Sequence, residues 1–278
     1  MRSKSVLDTP RLRELRKQKR DIIKRRAWIG LGVCVVLFVG LGFLARIKEV
    51  NIQEVSVTGN KIVDKEALEK FTWDVLREYY LWLYPKSNAM IYPTRELERR
   101  ILENFKRIEK VDFSINTERA LNLMITERGV KYVWCDVSMR CYFADIYGYV
   151  FDEAPYFSGP VYIKFYGGID ESLPVAGQTV FGGKFADLAS FVESIKNLGV
   201  EVVGVRIKNE NEIEIELPQY GDESAKIIFN PIHDLYRTLE NLKTALESEP
   251  LVTDMATRKQ DLLYIDLRFG NKVYFKFK

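Results

Sequence analysis

Histidine is almost missing from this sequence: His233 is the one example in 278 residues. A single imidazole cannot build a zinc site of several histidines, and Cys135 with Cys141 are too few to complete one. His233 follows Asn230-Pro231 at an expected helix start, which gives it a structural place. The patterns G-x-S-x-G, Walker A and G-x-G-x-x-G are absent too, and with them the marks of a serine-hydrolase elbow, a P-loop and a dinucleotide fold. No nucleophile–base pair stands out. These gaps point away from an enzyme and predict no cofactor and no metal. Glu212, Glu214 and Glu216 alternate on one strand face; a hard cation needs ligands from several directions, so a solvated face is expected there rather than a cation site.

Long apolar runs are also rare, and the one present organises the chain. Ala27 to Ala45 is 19 residues without a charge, flanked by Arg25, Arg26 and Arg46. At about 1.5 Å per residue a helix of this length covers about 28 Å, close to the hydrocarbon thickness of a bilayer. A lone segment in lipid can satisfy its backbone only as a helix. A cleaved signal peptide would have a shorter core and small residues at a cleavage site, and Gly42-Phe43-Leu44-Ala45-Arg46 is a poor match. A buried core helix is rarely apolar all round for so long. The run therefore reads as one transmembrane helix. No two of its glycines are four apart, so no close-packing dimer motif is present.

Charge is unevenly spread. Residues 1–26 carry eleven of the 42 Lys and Arg but three of the 39 acids, a net charge of +8, while the rest of the chain sums to −5. The positive-inside rule puts the basic tail in the cytoplasm and the C-terminal bulk outside. The tail reads as a topology signal or as a contact for anionic headgroups; a nucleic-acid role fits less well, because the nearby membrane limits its reach. Thr9-Pro10 resembles a cap with proline at the first helical position, and Leu12, Leu15, Ile22 and Ile23 recur at helical spacing, so the tail is expected to run as a helix into the span.

Three cysteines are too few for a disulfide-built fold. Cys34 lies in the span. Cys135 and Cys141 would face each other across a hairpin turning near Val137-Ser138-Met139; an oxidising compartment would let them pair, and free thiols remain the other reading.

After the span, Val50, Ile52, Val55 and Val57 predict a strand closed at Gly59-Asn60. Asp64 predicts the cap of a helix from Lys65 to Leu83. Thr94 predicts the cap of a second helix, Arg95 to Phe105. Alternation at Val111, Phe113 and Ile115, and at Leu121, Leu123 and Ile125, predicts two half-buried strands joined at Thr117-Glu118-Arg119. Further on, strands are expected at 161–166, 200–207, 212–217, 226–229, 262–268 and 272–277. Helices are expected at 184–198 and from Pro231 to Ser248. The whole is α+β: a basic tail (1–26), one transmembrane helix (27–45), a β-α-α-β-β domain (50–128) and a mostly antiparallel α+β domain (129–278).

This order resembles the FtsQ/DivIB family of cell-division proteins, whose first extracytoplasmic module is a POTRA domain. The resemblance is carried by Val55-Ser56-Val57-Thr58-Gly59-Asn60, Ser87-Asn88-Ala89-Met90-Ile91, Ile108-Glu109-Lys110-Val111-Asp112-Phe113 and the stretch Leu121 to Arg128. Asp145-Ile146-Tyr147-Gly148-Tyr149-Val150-Phe151 is similar to the opening of the family's second domain. Residues 264–269 and 272–276 resemble its closing strands.

The resemblance implies a non-catalytic divisome scaffold, single-pass in the cell (inner) membrane at the septum, that helps regulate septal peptidoglycan synthesis. Its implied partners are FtsB/DivIC-like and FtsL-like single-span proteins and a septal transpeptidase or glycosyltransferase, with no nucleic acid. The implied docking residues are Tyr264, Asp266, Arg268, Phe269, Val273, Tyr274 and Phe275. Physically, a last strand with an open edge can add a partner's strand, with Val273, Tyr274, Phe275 and Phe277 supplying side chains and Lys272, Lys276 and Lys278 guarding against aggregation. The alternative is a POTRA-bearing component of polypeptide secretion, although the chain has no barrel-length series of strands.

Overall fold

The structure is a computed structural model, and it describes residues 10–157, 159, 161–219, 224–258 and 261–278. It is α+β, with mostly antiparallel sheets and one long N-terminal helix. The chain forms two compact units. The first runs to Ile101 and takes in Val111–Ile125; the second comprises Leu102–Lys110 and Thr126–Lys278.

Helix α1 (Pro10–Leu44) is continuous from the basic tail through the apolar run. Among the described residues it is the one helix long and apolar enough to cross a membrane. Thr9, the expected cap, lies outside the described residues.

The first unit then forms a sheet of order β1-β5-β4, with β1 (Glu54–Thr58) parallel to β5 (Ala120–Glu127) and β4 (Ile108–Ile115) on its other side. The alternation expected for β5 holds: Leu121, Leu123 and Ile125 are buried, while Met124 is exposed. The turn between β4 and β5 is clamped by Asn116, whose Oδ1 accepts from the Ala120 N–H at 2.8 Å. Strand β1 is shorter than expected, because Lys48–Val50 form a 3₁₀ turn. Helix α2 (Lys65–Leu76) is capped by Asp64, whose side chain accepts from the Glu66 N–H.

The helix boundaries of this unit differ from expectation. Helix α2 ends at Leu76, and residues 79–85 fold as a two-stranded hairpin, β2 (Tyr79–Tyr80) and β3 (Tyr84–Pro85). Tyrosine-rich pairs fit a pleated ribbon, and Glu78 is drawn into tertiary ion pairs, described below. Helix α3 (Thr94–Asn104) begins one residue early, with the Leu97 N–H donating to the Pro93 carbonyl at 2.9 Å, so Thr94 sits inside the first turn. The interior of this unit combines Leu68, Val75 and Leu76 of α2, Leu97 and Ile101 of α3, and the apolar face of the sheet.

The second unit is built on nine strands in the order β14-β13-β12-β11-β10-β9-β6-β7-β8. The strands are β6 (Tyr132–Cys135), β7 (Cys141–Ala144), β8 (Val150–Ala154), β9 (Lys164–Tyr166), β10 (Gly204–Asn209), β11 (Glu212–Gln219), β12 (Ser224–Phe229), β13 (Leu262–Phe269) and β14 (Lys272–Phe277). Helices α4 (Phe185–Asn197), α5 (Leu235–Leu246) and α6 (Leu251–Arg258) share a core with Trp134, Phe165, Ile215, Phe229 and Ile265. The expected helix from Pro231 instead starts at Leu235, because Asp234 accepts from the Tyr236 and Arg237 N–H groups. A further helix follows: the Pro250 carbonyl accepts from the Asp254 N–H at 3.0 Å at the start of α6.

Asp145 explains the stretch 145–151. Its Oδ1 accepts from the N–H groups of Tyr147 and Tyr149, its Oδ2 pairs with Arg128 at 2.8 Å, and Gly148 takes φ +78° to turn the chain. Val150 then enters the core fully buried. A glycine is required at that turn, since a Cβ there would also overlap the Phe185 ring.

Candidate partner-binding edge

Strand β14 is one of the two end strands of the nine, with β8 at the other end, so one of its backbone edges carries no neighbouring strand among the described residues. Its hairpin with β13 turns at Gly270, which takes φ +65°, and Asn241 of α5 donates to the Gly270 carbonyl at 2.8 Å. The alternation of β14 divides its side chains between two faces. Val273, Phe275 and Phe277 are half-buried against the core beneath α5, while Lys272, Tyr274 and Lys276 are exposed on the opposite face.

The expected docking residues therefore separate. Phe269 and Tyr274 come together in an edge-to-face pair, with ring centroids 5.1 Å apart at 85°, and both remain about half exposed. Asp266 is buried and Tyr264 partly so. Arg268 is committed within the chain: its Nε and Nη2 donate to Asp266 at 3.0 and 2.6 Å, and its Nη1 donates to Glu212. The Asp266 carboxylate, against the opposing effect of burial, raises the Arg268 pKa above its usual value, with Glu212 adding to the effect. Asp266 and Arg268 thus shape the edge from inside. Val273, Phe275 and Phe277 lie on the half-buried face, since the strand period turns them toward the core of their own unit.

The glutamates of β11 are not merely solvated. Glu216 binds Arg206 at 2.8 and 3.0 Å, Glu214 binds Lys226 at 2.7 Å and lies 3.7 Å from Lys208, and Glu212 meets Arg268. Glu214 is buried. Each carboxylate already has a cationic neighbour, and no group of three or more His, Cys, Asp or Glu is arranged to hold a metal ion among the described residues. This ladder stiffens the face from which Phe269 and Tyr274 project.

Cys135 and Cys141 are directly opposed across β6 and β7 and are joined by a disulfide. Asp136 organises the intervening turn, accepting from the N–H groups of Ser138 and Arg140 and from Arg140 Nε. Burial pushes its carboxyl upward, but those donors outweigh it and hold the pKa below the usual range.

Sequence reasoning missed one cluster in the first unit. Lys86 is buried, and its Nζ donates to Glu78 at 2.8 Å and to both oxygens of Glu96 at 2.8 and 2.9 Å. Arg100 joins through Glu78 at 2.7 Å. Arg100 first, and Lys86 second, pull the Glu78 pKa down; burial opposes the charge on Lys86, but the two carboxylates raise its pKa. The i, i+4 spacing of Glu96 and Arg100 was visible in the sequence. That Lys86 would be buried between helix and hairpin was not. The sequence matches no protein-family model and no curated protein.

Proposed function

We propose that this chain is a non-catalytic, single-pass scaffold of the bacterial division machinery, of the FtsQ/DivIB type, which docks other bitopic division proteins at the septum. The observation that carries the reading is the open edge of β14 with the exposed Phe269–Tyr274 pair beside it. An extended partner segment can extend the sheet there through backbone hydrogen bonds, and the aromatic pair supplies specificity. Support also comes from the order β1-α2-β2-β3-α3-β4-β5, in which the expected β-α-α-β-β succession is interrupted only by the small β2–β3 hairpin, following one helix long and apolar enough to cross a membrane. The eleven basic residues of the tail orient that helix with its N-terminus in the cytoplasm.

The test is capture by the full chain in detergent, wild type beside Tyr274→Pro and Phe269→Ala/Tyr274→Ala, from solubilised membranes of the source cells. Loss of short single-span coiled-coil proteins and septal synthases from both variants, with far-ultraviolet circular dichroism unchanged, supports the division scaffold. Equal capture by all three removes the edge from the account. Capture of secretion clients instead supports the polypeptide-translocation reading.

A further inference from the structure

The hairpin of β2 and β3 ends in two bulky apolar residues that pack on almost nothing. Leu81 is 72% and Trp82 91% exposed. Both take left-handed backbone conformations, φ +47° and +58°. Such a turn normally uses Asn or Gly, and a bulky side chain there is uncommon. Residues 79–85 contain no charge, whereas the base of the hairpin is pinned by the buried Lys86 and its two glutamates. A rigid base thus presents an uncovered apolar tip.

The hairpin lies against the C-terminal end of α1. Tyr84 Oη donates to the Phe38 carbonyl at 2.6 Å, and the two rings meet edge to face at 5.1 Å. Leu83 fills the groove at Gly42, which is buried in a stretch of α1 that is otherwise exposed; a Cβ at Gly42 would overlap the Leu83 side chain. Arg46 donates from Nε to the Leu83 carbonyl and from Nη2 to the Trp82 carbonyl, both at 3.2 Å, and its guanidinium lies 5.5 Å from the Tyr79 ring centre. Phe38 to Arg46 is the last ~12 Å of the apolar run, where hydrocarbon gives way to headgroups. Tryptophan and tyrosine favour that zone, because each has an apolar body and a polar atom for the wet side.

We propose that the hairpin is a second membrane contact, which seats Leu81 and Trp82 in the lipid interface beside α1 and so sets the first unit's posture on the bilayer. The occupant is lipid because the hairpin continues the lipid-facing surface of α1, and Arg46 and Tyr79 stand where headgroups lie. This rests on α1 crossing the membrane.

The experiment uses the full chain with Cys34→Ser and the Cys135–Cys141 disulfide intact. Single nitroxide labels are attached at Leu81→Cys, Trp82→Cys, Leu37→Cys and Met124→Cys. Leu37 tests the span. Met124 is exposed and lies opposite Thr58, the residue of β1 farthest along the chain from α1. In vesicles of phosphatidylcholine and phosphatidylglycerol, collisions with oxygen and with a water-soluble nickel chelate are compared. The expected result is a several-fold loss of chelate collisions at 81 and 82 relative to 124, with 37 protected as well. Chelate access at 81 and 82 equal to that at 124, with 37 protected, overturns the hairpin contact alone. Chelate access at 37 overturns the span and the proposal together. Circular dichroism on each labelled protein checks that the fold is kept.

Discussion

The β2–β3 and β13–β14 hairpins of this protein both carry exposed aromatics, and they differ in the charge around them. The β2–β3 hairpin has no charge from Tyr79 to Pro85 and exposes its tip. The β13–β14 hairpin alternates: Lys272, Tyr274 and Lys276 point out while Val273, Phe275 and Phe277 point in. An uncharged tip suits lipid, where an ammonium would need to escape to water. A lysine-studded edge stays soluble and unaggregated, yet leaves its backbone free to pair with a chosen partner. Each hairpin is braced by ion pairs, Lys86 with Glu78 and Glu96 at the base of one, Arg268 with Asp266 and Glu212 close to the turn of the other.

The comparison can be broken first at the braces. Lys86→Met leaves Glu78 and Glu96 near each other without the ammonium between them, and removing one partner from a buried ion pair costs about 3 kcal/mol. Urea unfolding of the first unit should shift accordingly, and nickel-chelate access at a label on residue 82 should rise. Removing the other unit's covalent brace is a milder change. Cys135→Ala/Cys141→Ala opens a loop with a sequence separation of 6, worth about 2 kcal/mol in the chain-entropy account. Thermal unfolding should register this in the second unit and leave the β2–β3 tip unaffected.

Acid sharpens the contrast further. The folded pKa of Glu78 lies below its ordinary value of 4.5. The stability it contributes is therefore full above that ordinary value and is lost as pH falls through the depressed folded one. Because Glu78 is partly exposed, solvent screening keeps the effect to about 1 kcal/mol or less. Glu78→Gln should flatten this part of a melting-temperature profile between neutral pH and pH 3. The smallest effect on stability is expected at the open edge. Tyr274→Ala should change the unfolding free energy by about 0.5 kcal/mol or less, as exposed positions do, while abolishing capture of partners.

Much of the fold was legible because it is written at short range. A charge-free run long enough for a bilayer, the alternation of β5 and the Asp64 cap each depend on residues within a few positions. Where periodicity failed, a distant residue had intervened. Leu68, Phe71, Val75 and Tyr79 keep helical spacing, but α2 stops at Leu76, and beyond it Glu78 is held by Arg100, 22 positions away, and by Lys86. Pro231 looked like a helix start, but Asp234 has the side chain that satisfies the first N–H groups. The candidate edge was half legible: its location followed from the order of strands, whereas the inward turn of Val273 and Phe275 and the burial of Asp266 required the sheet.

The sequence by itself determined the run long and apolar enough to cross a membrane, its basic flank, the alternation of β5 and the hairpin that brings Cys135 to Cys141, since each follows from spacing along the chain. Only the tertiary structure decided that β14 would be left outermost, that Glu212, 56 positions from Arg268, would meet it, and that Leu81 and Trp82 would sit uncovered beside α1. These depend on which surfaces meet when separate elements pack. Local propensity carries no information about a partner that is far along the chain and near only in space.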